Sequence, residues 1–287
     1  MSDAGFTDGY FWSRDGLRLH YRDFAGPADL PPLLCIPGLT RNVRDFEELA
    51  GRLAGHRRVI CVSLRGRGES AFAKDALSYV PLTYLHDVEA LIEELKLDRL
   101  VSIGTSLGGL ITMLLAATHP GLLAGAVLND IGPEIAPEGL ARIKSYVGKG
   151  GNWPTWMHAA RDIAASNAGV YPAYQMTDWL RMAKQLCRVA SAGRIVWDYD
   201  ARIAEPFRLP GGEVGVDLWP ALEALREVPV LSLRGALSDV FAAATQAEMA
   251  RRLPKLTAVE VPEVGHAPSL DEPVAVAAIE RFLGVIA

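Results

Sequence analysis

Cysteine is scarce in this sequence, and its spacing shows no pairing. There are three, Cys35, Cys61 and Cys187, an odd set without C-x-x-C spacing, which argues against a disulfide framework or a thiolate metal site. Two of them fall in runs that read as strands, where a free cysteine behaves as a small apolar residue of a reducing compartment. A basic surplus is also missing. The 29 Lys and Arg against 34 Asp and Glu leave a net charge of −5, and Arg65 and Arg67 are the nearest approach to a cluster. Neither a nucleic acid nor an anionic membrane surface is therefore an expected partner. No apolar run reaches membrane-spanning length, and the first residues lack the basic-then-apolar order of a secretory leader. With no H-E-x-x-H and no Walker lysine either, the expectation is a cytoplasmic protein that needs no metal or organic cofactor.

What is present is apolar content in a regular order. Half of the 287 residues are hydrophobic and 22% are charged, enough to build a sizeable core. Residues 10–13 and 17–24 flank the turn signal Arg14-Asp15-Gly16 and read as an antiparallel hairpin. Short apolar runs at 32–36, 58–62, 99–103, 122–128, 228–233 and 258–261 read as strands. Stretches with helical spacing at 42–53, 83–97, 109–117, 241–253 and from Pro273 onward separate most of them. Strands alternating with helices predict an α/β fold: a mainly parallel sheet flanked by helices on both faces. The alternation fails between residues 133 and 226. That stretch holds Trp153, Trp156, Trp179, Trp197 and Trp219, helical patterns at 140–147 and 178–189, and breakers at Gly148, Gly150-Gly151, Pro172 and Pro210-Gly211-Gly212. It reads as an inserted helical cap between two parts of one core, 1–132 and 227–287.

The chemistry-bearing stretch is Gly104-Thr105-Ser106-Leu107-Gly108, a G-x-S-x-G between a predicted strand and a predicted helix. A serine on such a tight turn stands clear of the sheet edge, and glycines two positions away leave room for the neighbouring strand and helix. The helix that begins there points free N–H groups and its positive dipole end at developing negative charge. A serine hydroxyl needs a base, and the base needs an orienting group. Of the six histidines, His266 lies just beyond the last strand, on the same sheet edge as Ser106, and is the expected base. Two acids follow strands on that edge: Asp130, after 122–128, and Asp239, after 228–233. Both fit the chain order Ser…Asp…His. His158 and the tryptophans Trp153, Trp156 and Trp179 are candidates for lining a pocket under the cap.

Five motifs in order, Pro37-Gly38-Leu39-Thr40, Arg65-Gly66-Arg67-Gly68-Glu69-Ser70, the serine turn, Ser238-Asp239 and Gly265-His266-Ala267-Pro268, make the whole chain resemble the α/β-hydrolase superfamily. It departs from the family pattern in beginning the first loop Pro-Gly where His-Gly is usual, and in carrying Ser63 where an Asp is usual. The resemblance implies that Asp239 is the triad acid, with Asp130 as the alternative, and that the backbone N–H groups of Leu39 and Leu107 form the oxyanion hole. It also implies acyl transfer from a small carboxylic ester or lactone to water. Carbon–carbon hydrolysis of ring-cleavage products, cofactor-free perhydrolysis and ligand reception on a hydrolase fold are the alternatives. A serine at the turn sets the chain apart from relatives with an aspartate nucleophile.

Overall fold

The computed structural model describes residues 5–208 and 217–286, so the predicted breaker at 210–212 lies outside the described residues. The chain opens with the expected hairpin, β1 (Phe6–Trp12) and β2 (Arg18–Phe24), which pair antiparallel. Then follow β3 (Leu33–Ile36), α1 (Glu47–Leu53), β4 (Val59–Ser63), α2 (Pro81–Leu95), β5 (Leu100–Thr105), α3 (Leu107–Thr118) and β6 (Leu123–Asn129). After an insertion come β10 (Val230–Gly235), α8 (Ala243–Arg252), β11 (Leu256–Val261) and α9 (Pro273–Leu283). The main sheet has the order β1-β2-β4-β3-β5-β6-β10-β11 and is parallel from β4 to β11.

Alternation along the strands sorts the core into two layers. Leu33, Cys35, Val59 and Cys61 face Phe46, Leu49 and Phe282 on one side. Leu34, Ile36, Ile60 and Val62 face Leu85, Leu91, Ile111 and Met249 on the other. β6 is buried along its whole length. A Cβ at Gly125 would come within 2.4 Å of the end of the Ile286 side chain, which packs over that strand. The three cysteines are buried and free. No helix among the described residues is long and apolar enough to cross a membrane.

The insertion is only partly helical. Its helices α4 (Pro137–Tyr146), α5 (Trp156–Asn167) and α6 (Met176–Leu186) share it with a small antiparallel sheet. That sheet has the order β7-β9-β8, formed by β7 (Asn152–Trp153), β8 (Cys187–Val189) and β9 (Ile195–Trp197). The helix expected over 178–189 stops at Leu186: Cys187 is extended, at φ −120 and ψ 165, and its strand pairs with the β-prone Ile195-Val196-Trp197. A last short helix, α7 (Trp219–Glu223), already packs on α3 with Leu222 in the main core, so contact with the sheet layer resumes before residue 227.

Candidate active site

The parallel strands deliver their loops to one edge, and Ser106 stands on the loop between β5 and α3. Its backbone is left-handed, φ 52 and ψ −114, a strained conformation for a residue with a side chain. Three close approaches hold it. A Cβ on Gly104 would lie 2.3 Å from the Gly108 carbonyl oxygen, one on Gly108 2.0 Å from that of Ile36, and one on Gly109 2.2 Å from the Ile131 side chain. The Ser106 N–H donates to the Asn129 carbonyl at 3.0 Å.

His266 Nε2 lies 2.9 Å from Ser106 Oγ, and His266 Nδ1 lies 2.7 Å from Asp130 Oδ2. This differs from the expectation that Asp239 would face the histidine. Asp130 follows β6 with φ 54, a turn that folds its carboxylate back under His266, where the side chain has 0% exposure. Each of its oxygens has a further donor: Gly235 N–H donates to Oδ1 at 2.7 Å and Ser238 Oγ–H to Oδ2 at 2.6 Å. Asp239 points instead to the insertion. Arg142 of α4 grips both its oxygens, at 2.5 and 2.8 Å, and the hydrogen bonds from Arg142 hold its pKa below the usual carboxylate value despite partial burial. Of the predicted Ser238-Asp239 pair, it is the serine that contacts the acid beside the histidine.

The loop after β3 passes beside the serine. A Cβ on Gly38 would sit 3.8 Å from Ser106 Cβ. The Gly38 carbonyl accepts from Arg41 N–H at 3.1 Å, so in that planar peptide the Leu39 N–H faces the opposite way. Leu107 opens α3, and its N–H has no acceptor within the helix. Fully buried Arg67 fixes the loop from behind: Nε donates to the Leu39 carbonyl at 2.8 Å, Nη1 to that of Arg65 at 2.6 Å and Nη2 to Tyr84 Oη at 3.0 Å.

A cavity of about 520 Å³ opens over Ser106 and His266, roofed by the insertion. Among the predicted lining residues Trp153 is on its wall, while Trp156, His158 and Trp179 are not. His158 is exposed and bonded to Thr155 Oγ1 at 2.8 Å. Trp179 is buried against Tyr174 and Tyr171, at 5.1 and 5.9 Å between centroids, and Trp156 packs against the same apolar cluster. These rings fill the insertion's own core, as large aromatics in a small layer do. Trp197, edge-on to Trp153 at 5.0 Å, lines the cavity in their place.

The sequence profile of the alpha/beta hydrolase family matches residues 33–279. The chain belongs to the alpha/beta hydrolase family. It is 35% identical to the 3-hydroxybutyrate-oligomer hydrolase of Cupriavidus necator over 92% of both chains. It is 30% identical to the 2-(acetamidomethylene)succinate hydrolase of Mesorhizobium japonicum, covering 82% of this chain and 81% of that one. The solved structure of an alpha/beta hydrolase from Novosphingobium aromaticivorans matches with a TM-score of 0.94 at 54% identity, over 98% of each chain.

Sequence reasoning missed how this alpha/beta hydrolase ties its insertion to the histidine loop. Tyr171 Oη–H donates to the Ala267 carbonyl at 2.7 Å, and Gly265 N–H donates to the Val170 carbonyl at 2.7 Å. Burial pushes the Tyr171 phenol well up, so it remains a donor. Nothing local in Val170-Tyr171 signals this, since both partners lie almost a hundred positions downstream.

Proposed function

We propose that this alpha/beta hydrolase cleaves small carboxylic esters through Ser106, His266 and Asp130, with an acyl-enzyme intermediate. The observation that carries the reading is the unbroken hydrogen-bonded row from Ser106 Oγ through both imidazole nitrogens to a buried carboxylate. Ser106 Oγ attacks the ester carbonyl carbon while His266 Nε2 takes its proton. Asp130 accepts from Nδ1–H and so fixes the tautomer that leaves Nε2 free to act as a base. The oxyanion of the tetrahedral intermediate lies between the N–H groups of Leu39 and Leu107, each such donor contributing about 3 kcal/mol in comparable sites. When the carbon–oxygen bond breaks, His266 returns the proton to the departing alcohol oxygen. Water then attacks the acyl-enzyme carbonyl, giving a proton to His266, which passes it to Ser106 Oγ as the bond to the serine breaks and the acid leaves.

In this reading the inserted segment that carries α4, α5 and α6 acts as a cap whose Trp153 and Trp197 wall the cavity. The chemistry requires no metal or cofactor. The similarity to a 3-hydroxybutyrate-oligomer hydrolase supports esters as the bond cleaved, because such oligomers are chains of ester linkages. The test is hydrolysis of a 3-hydroxybutyrate dimer together with fluorophosphonate labelling. Wild type hydrolyses the dimer and is labelled at Ser106; Ser106→Ala does neither while keeping its melting temperature. Undiminished labelling or turnover in Ser106→Ala would overturn the reading.

A further inference from the structure

Most charges on the cavity wall are answered by neighbours. Arg142 is held by Asp239, Arg181 by Asp178 at 3.2 Å, and Asp271 by Arg52 at 3.0 Å. Lys149 and Asp162 are exposed, so water screens them. Arg41 is different. Its Nε donates to Asp45 Oδ2 at 2.6 Å, and among the described residues neither of its terminal nitrogens has an acceptor. Its side chain is only 24% exposed and lines the cavity.

The location gives this fork a purpose. Arg41 stands two residues beyond Leu39, and the point where a Cβ on Gly38 would sit is 3.4 Å from Arg41 Cγ and 3.8 Å from Ser106 Cβ. The arginine stem and the nucleophile thus flank one glycine. Burial opposes the guanidinium charge, but Asp45 more than offsets it, and the pKa moves up from an already high value. A cation that cannot be neutralised, with its planar outer edge unpaired inside the cavity, matches a carboxylate that engages both terminal nitrogens.

Resting on the ester-hydrolase reading, we propose that Arg41 is a specificity-determining residue that receives the free carboxylate of the substrate. The preferred substrates are then esters formed on the hydroxyl of a short hydroxy acid whose own carboxylate is unesterified. In such a molecule the carboxylate lies a few bonds from the scissile carbonyl, which suits an arginine placed beside the nucleophile. Neutral esters of the same shape leave the guanidinium edge unmatched.

The test compares the 3-hydroxybutyrate dimer as free acid with its primary amide, a neutral near-isostere, following cleavage of the internal ester. Wild type should favour the acid in kcat/KM by about 10- to 100-fold, mainly through KM, the range expected of a charge-assisted hydrogen-bonded pair. Arg41→Gln should bring the acid-to-amide ratio close to one, and Arg41→Lys, a point charge without the fork, should keep part of it. Fluorophosphonate labelling of Ser106 checks that each variant retains an assembled site. Should Arg41→Gln fail to fold, the wild-type ratio and the Arg41→Lys ratio still decide. Equal rates on acid and amide in wild type, or a ratio unmoved by either substitution, would overturn the proposal. Failure to cleave either compound, or cleavage surviving in Ser106→Ala, would instead overturn the ester-hydrolase reading, and this inference with it.

Discussion

Asp130 and Asp239 are chemically identical, follow strands on the same sheet edge and are separated by environment alone. Asp130 has no solvent exposure and takes hydrogen bonds from Gly235, Ser238 and His266, whereas Asp239 is 34% exposed and is engaged by Arg142. Asp130→Asn should therefore lower kcat by about four orders of magnitude, as loss of the orienting carboxylate does in a serine protease. Asp239→Asn should leave kcat within a small factor and cost about 1 kcal/mol or less in stability, the range for a partly exposed ion pair. Steady-state kinetics and thermal melts of the two variants check this, and the reverse ranking would return the orienting role to Asp239. The two proposed partners Ser106 and His266 were legible in the sequence because each lies in a contiguous motif beside a strand. The acid was not, because the choice depends on a left-handed turn at Asp130 and on a hydroxyl 108 positions away.

At the scale of elements, the apolar patterning is clearest in the central strands β3 to β6 and β10, which are buried on both faces. The insertion was harder to read. The two- and three-residue strands β7, β8 and β9 are too short to show a period, and they exist because they pair with one another. The loop between α5 and α6 shows what such a layer does for the site. Its Val170 carbonyl and Tyr171 hydroxyl hold the peptide groups on either side of His266. Tyr171→Phe removes one of these two contacts and leaves the Ala267 carbonyl without that donor. It should cost about 1 kcal/mol of stability and lower kcat several-fold with little change in KM, because the imidazole is positioned less well once substrate is bound. Denaturant unfolding and steady-state kinetics check both parts; an unchanged kcat would make the contact purely structural.

Across the whole molecule, buried arginines join parts of the chain that are distant in sequence. Arg65 bonds Asp87 in α2 and Asp15 in the first hairpin, each at 2.6–2.8 Å. The hydrogen bonds from Arg65 lower the pKa of Asp15 from 3.8 to about 2. Because the folded value lies below the unfolded one, this contribution to stability is present above about pH 4 and is lost as the pH falls through about 2. Asp15→Asn removes it, so the melting-temperature advantage of wild type over the variant should shrink between pH 4 and 2; an advantage constant with pH would exclude the linkage. Asp15 is 54% exposed, which keeps the effect small. Arg67 makes the corresponding connection at the site, holding the Leu39 carbonyl, the Arg65 carbonyl and the α2 hydroxyl of Tyr84 with one guanidinium. The consequence concerns timing. The dipoles that would meet a negatively charged oxygen are aligned when the chain folds, so little of the free energy of a catalytic cycle goes into turning them.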